Sequence, residues 1–277
     1  MIRRAICVFK RLKNGGRTAY SLIEGFKKHG ISVEFIPSPD ALPPPDDSTI
    51  AVAWGWKKGE RAFAKGYQLL LIERGFIGDR FAWTSFGWNG LNGRAIFKEV
   101  NDGGERFKRY FPSLLKEWRR VRSSRKALIM GQVASDAAIL STGGNIHQWY
   151  DRAALRLRER DYAVSFRKHP LEKDLYLAPA LRGSVLVNGS LAQALEDVDL
   201  VVTFNSNSGV DAALAGIPVV VCDDGAMAKP VAAFGLDAEP VRPPRETWAH
   251  RLAWKQFSDG EIQQGIAWEV ARQAVQL

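Results

Sequence analysis

The chain has little from which to build a metal centre or a disulfide framework: two cysteines and four histidines in 277 residues. Cys7 and Cys222 stand apart in apolar runs that read as buried strands, which fits a reducing cytoplasm, and no Cys/His cluster has zinc spacing. No apolar run approaches the roughly 20 residues of a membrane helix. The start, Met1-Ile-Arg-Arg-Ala-Ile-Cys-Val-Phe-Lys10, is basic and then only briefly apolar, without a small-residue cleavage site, so it reads as a first strand and not a signal peptide. Internal repeats beyond two α/β halves are missing, as are low-complexity segments. At 46% hydrophobic and 25% charged residues, the composition is that of an ordinary soluble globular protein with one large or two small domains.

Charge is unevenly spread. Residues 1–125 hold 24 Lys/Arg against 12 Asp/Glu, and residues 126–277 hold 15 against 18, so the halves carry +12 and −3. A first half this basic points to a polyanionic partner, with DNA the leading candidate, beside the plain alternative of a solvated basic surface.

The densest chemical signal lies in Val201-Val-Thr-Phe-Asn-Ser-Asn-Ser-Gly-Val-Asp-Ala-Ala-Leu-Ala-Gly-Ile-Pro-Val-Val-Val221, which reads as buried strand, polar turn, short helix and second buried strand. Asn205, Ser206, Asn207 and Ser208 sit where the helix must start, and such residues together with free backbone N–H groups attract an anion, typically a phosphate. Upstream, Tyr162-Ala-Val-Ser-Phe-Arg-Lys-His-Pro170 is an alternating strand that ends in Arg167, Lys168 and His169 before Pro170 stops the ladder. Ligands of open α/β sheets sit beyond the carboxyl ends of strands, so both motifs are expected in one crevice, where they suit a diphosphate.

These motifs resemble the donor half of GT-B glycosyltransferases, with the nearest pattern in capsule-polysaccharide sugar transferases and bacterial sialyltransferase-like groups. In those families the "HP" histidine and the Ser/Thr motif grip the phosphate and ribose of a nucleotide-activated sugar, which implies those roles for His169, Ser206 and Ser208. Gly131-Gln132-Val-Ala-Ser-Asp136 is similar to the Gln-x-x-x-Asp opening of the same half. The resemblance covers about residues 126–225. In the first half, Leu71-Ile-Glu-Arg-Gly-Phe-Ile-Gly-Asp-Arg-Phe-Ala-Trp-Thr-Ser-Phe-Gly-Trp-Asn-Gly-Leu-Asn-Gly93 resembles phage-encoded proteins that decorate hydroxymethylated pyrimidines in DNA.

The expected architecture is therefore α/β, with two Rossmann-like domains facing a cleft: an acceptor domain over 1–125 and a nucleotide-sugar domain over 126–277 whose final helices cross back to the first. The periodicity predicts strands at 5–10, 32–36, 49–54 and 66–72 in the first half, and at 126–133, 162–167, 184–188, 199–204 and 217–222 in the second. Residues 106–126, with nine Lys/Arg and interleaved aromatics, predict an amphipathic helix bridging the domains. Asn14, Gly15, Gly16 and Arg17 form a weak anion-cradling signal.

The fold and motifs together predict a glycosyltransferase that moves a sugar from a UDP- or CMP-linked donor to a hydroxyl. The favoured acceptor is a hydroxymethylated pyrimidine of phage DNA; the alternatives are a capsule or lipid-linked glycan and a non-catalytic nucleotide- or DNA-binding protein. Gln132, Arg167, Lys168, His169, Asn205, Ser206, Asn207 and Ser208 are expected to hold the donor. Asp136, Glu73 and Asp79 are the candidates for the base that takes the acceptor proton. Arg74, Arg80, Trp83, Trp88, Arg119, Arg120 and Arg122 are expected at the acceptor, where loop tryptophans beside arginines can stack on bases or sugar rings. Asp223 and Asp224 are adjacent at a strand end and point apart, so neither a metal nor any other cofactor is expected. The expected location is the cytoplasm, that of the host if the chain is phage-encoded.

Overall fold

A computed structural model of the chain describes residues 1–9, 16–120, 122–140, 142–172 and 184–277. Asn14 and Gly15 of the candidate anion loop fall outside them. The described residues form two compact units: unit 1 combines 1–108 with 250–277, and unit 2 is 109–249.

Unit 1 contains β1 (Arg4–Cys7), α1 (Gly16–Lys27), β2 (Ser32–Phe35), β3 (Thr49–Trp54), α2 (Trp56–Ala64), β4 (Leu69–Arg74), β5 (Trp83–Trp88) and α3 (Glu105–Tyr110), whose last two residues count with unit 2. Unit 2 continues with β6 (Lys126–Met130), α4 (Ala137–Leu140), α5 (Ile146–Glu159), β7 (Ala163–Arg167), β8 (Val185–Leu186), α6 (Leu191–Leu195), β9 (Leu200–Thr203), α7 (Ser208–Leu214), β10 (Val219–Val221), β11 (Ala233–Phe234) and the first half of α8 (Glu246–Ala253). The chain then returns to unit 1 with β12 (Gln256–Ser258), α9 (Asp259–Gln263) and α10 (Ile266–Arg272).

Each unit is built on a six-stranded sheet, ordered β12-β5-β4-β3-β1-β2 in unit 1 and β11-β10-β9-β6-β7-β8 in unit 2. All pairings in unit 2 are parallel, whereas β5 and β12 run antiparallel in unit 1. The apolar runs of β3, β9 and β10 are buried along nearly their whole length, as parallel strands covered on both faces require. On one face of unit 1, α1, α9 and α10 bring Leu22, Phe26, Ile262 and Trp268 onto Ile50, Val52, Leu70 and Ile72. Gly25 is essential to this packing, because a Cβ there would stand 2.0 Å from the carbonyl oxygen of Ile262.

Three expectations are corrected. The segment 106–126 is not one helix: α3 ends at Tyr110, and Lys116 and Arg119 donate backbone hydrogen bonds of 2.8 Å to the carbonyls of Leu214 and Gly216. Gly216 has φ +80°, and a side chain there would strike the carbonyl of Glu117, so this turn admits glycine alone. The Trp-rich stretch after Gly75 is not loop but the strand β5, held between β4 and β12. The charge contrast also shrinks once residues are grouped by the units they pack in: unit 1 carries 21 Lys/Arg against 14 Asp/Glu, or +7, and unit 2 carries 18 against 16, or +2.

Candidate functional site

In unit 2, β6 lies between β7 and β9, so chain direction through the sheet reverses beside it. Side groups from the carboxyl ends of these three strands converge there, the usual ligand position of an open α/β sheet. The cationic end of β7 and the Ser-rich turn after β9 are thus two strand spacings apart, about 10 Å, rather than side by side.

The end of β6 ties the two together. Gln132 is 6% exposed; its Nε2 donates to Asn205 Oδ1 at 2.7 Å, and its Oε1 accepts from the backbone N–H of Asn205 at 3.0 Å. Asn205 Nδ2 in turn donates to the carbonyl of Ala138 at 2.9 Å and to Asp223 Oδ1 at 2.8 Å. Tyr150 closes the other side: its hydroxyl accepts from the N–H of Gln132 at 2.6 Å and donates to that residue's carbonyl at 3.2 Å. Burial pushes the phenol up to about 12, which keeps its proton in place for that bond. Gly131 donates its N–H to the carbonyl of Arg167 at 2.8 Å, and a Cβ on Gly131 would come within 3.1 Å of the backbone nitrogen of His169. Gln132 and Asn205, expected to touch the donor, are occupied in bracing the two ligand-facing segments. Asp223 and Tyr150 belong to the same brace and were missed, because strand-end Asp and core Tyr carry no local signal of such a partnership.

The braced segments are polar. Thr203 Oγ1 accepts the N–H of Ser206 at 3.1 Å, Ser206 Oγ accepts the N–H of Ser208 at 3.2 Å, and the two serine hydroxyls lie 3.1 Å apart. Asn207 occupies the N-cap position of α7 without a side-chain capping bond. Because α7 has only seven residues, the turn's affinity for an anion rests on these hydroxyls more than on a helix dipole. Across β6, His169 Nδ1 accepts the N–H of Leu171 at 3.1 Å, so the neutral ring carries its proton on Nε2. Arg167 is half-buried and donates to the carbonyl of Gly189 at 3.2 Å. Lys168 is likewise half-buried.

The candidate carboxylates are dispersed. Asp136 is exposed and caps the first turn of α4 by accepting the N–H of Ala138 at 3.1 Å. Asp79 is exposed and accepts the N–H of Phe81 at 3.0 Å within its own turn. Glu73 is half-buried near the end of β4, on the face that packs against α2; its Oε1 would lie 3.6 Å from a Cβ placed on Gly55, at the start of that helix.

The acceptor expectations fare unevenly. Trp88 is fully buried, donates its indole N–H to the carbonyl of Ala271 at 2.8 Å and packs edge-on to Trp268, so it offers no surface to any acceptor. Trp83 packs in the neighbourhood of Arg106, whose guanidinium carbon is 5.7 Å from its ring centroid. Arg119 donates to the carbonyls of Leu195 and Glu196, and Arg122 pairs with Asp197 and Asp199, all within unit 2. Both arginines are therefore spent on partners within unit 2 instead of facing a polyanion. Arg120 is exposed, and Arg80 donates to the carbonyl of Gly75 at 2.7 Å. Arg74 sits at the end of β4 between Trp54 and Phe81. Among the described residues no group of three or more His, Cys, Asp and Glu is placed to hold a metal, and no helix is long and apolar enough to cross a membrane.

No protein-family model and no curated protein sequence matches the chain. Among solved structures it is similar to two of KpsC from Thermosulfurimonas dismutans. The β-Kdo 2,7 transferase aligns with a TM-score of 0.57 at 16% identity over 95% of this chain and 98% of that one. The β-Kdo 2,4 transferase aligns with a TM-score of 0.58 at 16% identity over 89% of each. The fold is of the GT-B glycosyltransferase type. At this identity the likeness establishes architecture, and function has to be argued from the site.

Proposed function

We propose that the protein is a glycosyltransferase that takes a sugar from a UDP- or CMP-linked donor bound to unit 2 and passes it to a hydroxyl of a saccharide acceptor bound to unit 1. One observation carries the reading: the Arg167-Lys168-His169 strand end and the Ser206/Ser208 turn flank the same strand, β6, and are tied to it by Gly131 and Gln132. A cationic strand end on one side of β6 and a hydroxyl-rich turn on the other suit the phosphates of a nucleotide sugar, whose negative charge grows as the glycosidic bond to the nucleotide breaks. The acceptor hydroxyl attacks the anomeric carbon, its proton passes to a carboxylate, and the nucleotide leaves with the bond's electron pair. In this reading Arg167 and Lys168 supply the positive charge that the leaving nucleotide needs.

Glu73 is our choice for the carboxylate. Asp136 and Asp79 are exposed, whereas Glu73 is half-buried at the strand end of the acceptor-side unit. A saccharide is favoured over hydroxymethylated DNA for two reasons. Two of the arginines expected on phosphates are consumed inside unit 2, and the charge contrast that suggested a polyanion falls to +7 against +2. The KpsC transferases that share the fold are named for a sugar, which agrees with this reading.

Calorimetric titration with UDP- and CMP-linked sugars tests the donor site. His169→Ala and Ser206→Ala are each expected to weaken binding roughly tenfold or more, since a hydrogen bond to a charged group contributes about 1.5–3 kcal/mol. Unchanged affinity in both variants would show that the donor lies elsewhere.

A further inference from the structure

The carboxyl ends of β3 and β4 carry an arginine whose setting differs from that of its neighbours. Arg74 extends from the same face of the sheet as Ile72 and Trp54, and its guanidinium carbon lies 5.3 Å from the centroid of the Trp54 ring and 4.7 Å from that of Phe81. Aromatic rings hold a guanidinium in place but accept only weak hydrogen bonds, so its strong N–H donors are not spent on them. No described carboxylate lies within ion-pair distance of Arg74, and its side chain hydrogen-bonds to no described residue. Other arginines of unit 1 are committed: Arg4 to Glu34, Arg61 to Asp40, Arg106 to Glu261 and Arg80 to the carbonyl of Gly75.

The ring above Arg74 is held out on purpose-built backbone. Phe81 is 77% exposed, yet the loop that bears it is fixed from beneath by Gln256, a fully buried residue of β12. Gln256 Oε1 accepts the N–H groups of Phe76 and Ile77 at 2.6 and 3.0 Å, and its Nε2 donates to the carbonyl of Ile77 at 3.0 Å. Gly75 donates to the carbonyl of Trp83 at 2.9 Å, and a Cβ on it would lie 2.7 Å from the Cβ of Trp83. Asp79 pins the N–H of Phe81 itself. An exposed phenyl ring on so constrained a loop, beside a steady guanidinium, offers a flat apolar face and a charged fork to one ligand.

We propose that Arg74, with Phe81 and Trp54, forms an acceptor subsite that selects a carboxylate-bearing saccharide: the guanidinium takes the carboxylate in a fork of two hydrogen bonds and a ring covers the apolar face of the sugar. This deepens the glycosyltransferase reading by naming the acceptor class. A single fork beside one exposed ring suits a lone carboxylate; a duplex needs several phosphate contacts spread along a groove.

Binding measured without donor keeps this inference separate from the question of transfer. The full-length protein is titrated, by NMR or calorimetry, with an oligogalacturonate, its carboxyl-reduced counterpart and a plain DNA duplex of equal charge. The wild type is expected to bind the acidic saccharide at least tenfold more tightly than the reduced one, and Arg74→Gln to remove that preference while circular dichroism stays unchanged. Phe81→Ala is expected to weaken both saccharides alike. Equal affinity of the wild type for acidic and reduced saccharide overturns the subsite, as does an Arg74→Gln variant that keeps the preference. Tighter binding of duplex than of the acidic saccharide, lost in Arg74→Gln, overturns the saccharide assignment in favour of nucleic acid. Failure of donor binding in unit 2 would overturn the transferase reading and leave these results standing.

Discussion

Replacing Arg106 by Met is expected to destabilise unit 1 by about 3–5 kcal/mol, the typical cost of leaving one partner of a buried ion pair without the other. Arg106 is buried and Glu261 half-buried: Arg106 forms a bidentate pair with Glu261, donates through Nε to the carbonyl of Ala253 at 2.7 Å and through Nη2 to that of Gln256 at 2.9 Å, and lies among Trp254, Phe257 and Trp83. The arginine thereby joins α3 to β12 and α9, the segment that returns from the far end of the chain. Chemical denaturation followed by tryptophan fluorescence measures the loss; a change below about 1 kcal/mol would contradict the role given to the pair. Replacing both partners, Arg106→Met with Glu261→Leu, is expected to recover part of the loss, because no lone charge then remains buried.

The same pair sets a pH dependence. Burial alone would raise the Glu261 carboxyl, but the hydrogen bonds from Arg106 and Ser258 outweigh it and hold the group below the ordinary carboxylate range. A carboxyl depressed in the folded state contributes stability that is complete above its unfolded value, about 4.3, and is lost as pH falls through the folded value. Acid unfolding of the wild type is therefore expected to include a component below about pH 4.3 that Glu261→Gln lacks.

Glu73→Gln is expected to lower kcat by about 10²–10⁴ while leaving donor affinity and thermal unfolding close to wild type, which is what loss of a general base does. Asp136→Asn and Asp79→Asn are expected to stay within a few fold, since each of these carboxylates serves its own turn and Asn keeps an accepting oxygen there. Steady-state rates for the three variants with one donor and one acceptor decide the matter. A loss of 10² or more in Asp136→Asn with a near-normal Glu73→Gln would move the catalytic carboxylate to unit 2.

Much of unit 2 is written locally in its residues. Apolar runs such as Leu200–Thr203 and Val219–Val221 read as parallel strands covered on both faces, and the polar residues at their ends are where such sheets hold ligands. That Arg167–His169 and Ser206–Ser208 flank a common strand was not legible, because strand order is set by which apolar faces pack together across distant segments. Unit 1 hides more. The strand Trp83–Trp88 mixes Trp, Thr, Ser and Gly and reads as loop; its outer partner β12 lies some 170 residues downstream, and without that partner the stretch has no sheet to join. The basic run after Arg106 looks like one solvated helix face. In the fold it contributes a buried arginine to unit 1 and two anchoring arginines to unit 2, a division that depends on Glu261, Asp197 and Asp199 arriving from elsewhere in the chain. Trp88 was misread for the same reason: its burial is completed by Trp268 and the carbonyl of Ala271.

The central claim, glycosyl transfer from a nucleotide sugar held by unit 2, is tested most directly by incubating the protein with a panel of radiolabelled UDP- and CMP-linked sugars and three acceptors: an acidic oligosaccharide, plain duplex DNA and hydroxymethylated duplex DNA. Label is expected in the oligosaccharide with at least one donor, with matching release of the nucleotide, and both are expected to be lost in His169→Ala. Label in hydroxymethylated DNA alone would keep the donor site and contradict the acceptor; neither binding nor turnover of any nucleotide sugar would contradict the claim itself.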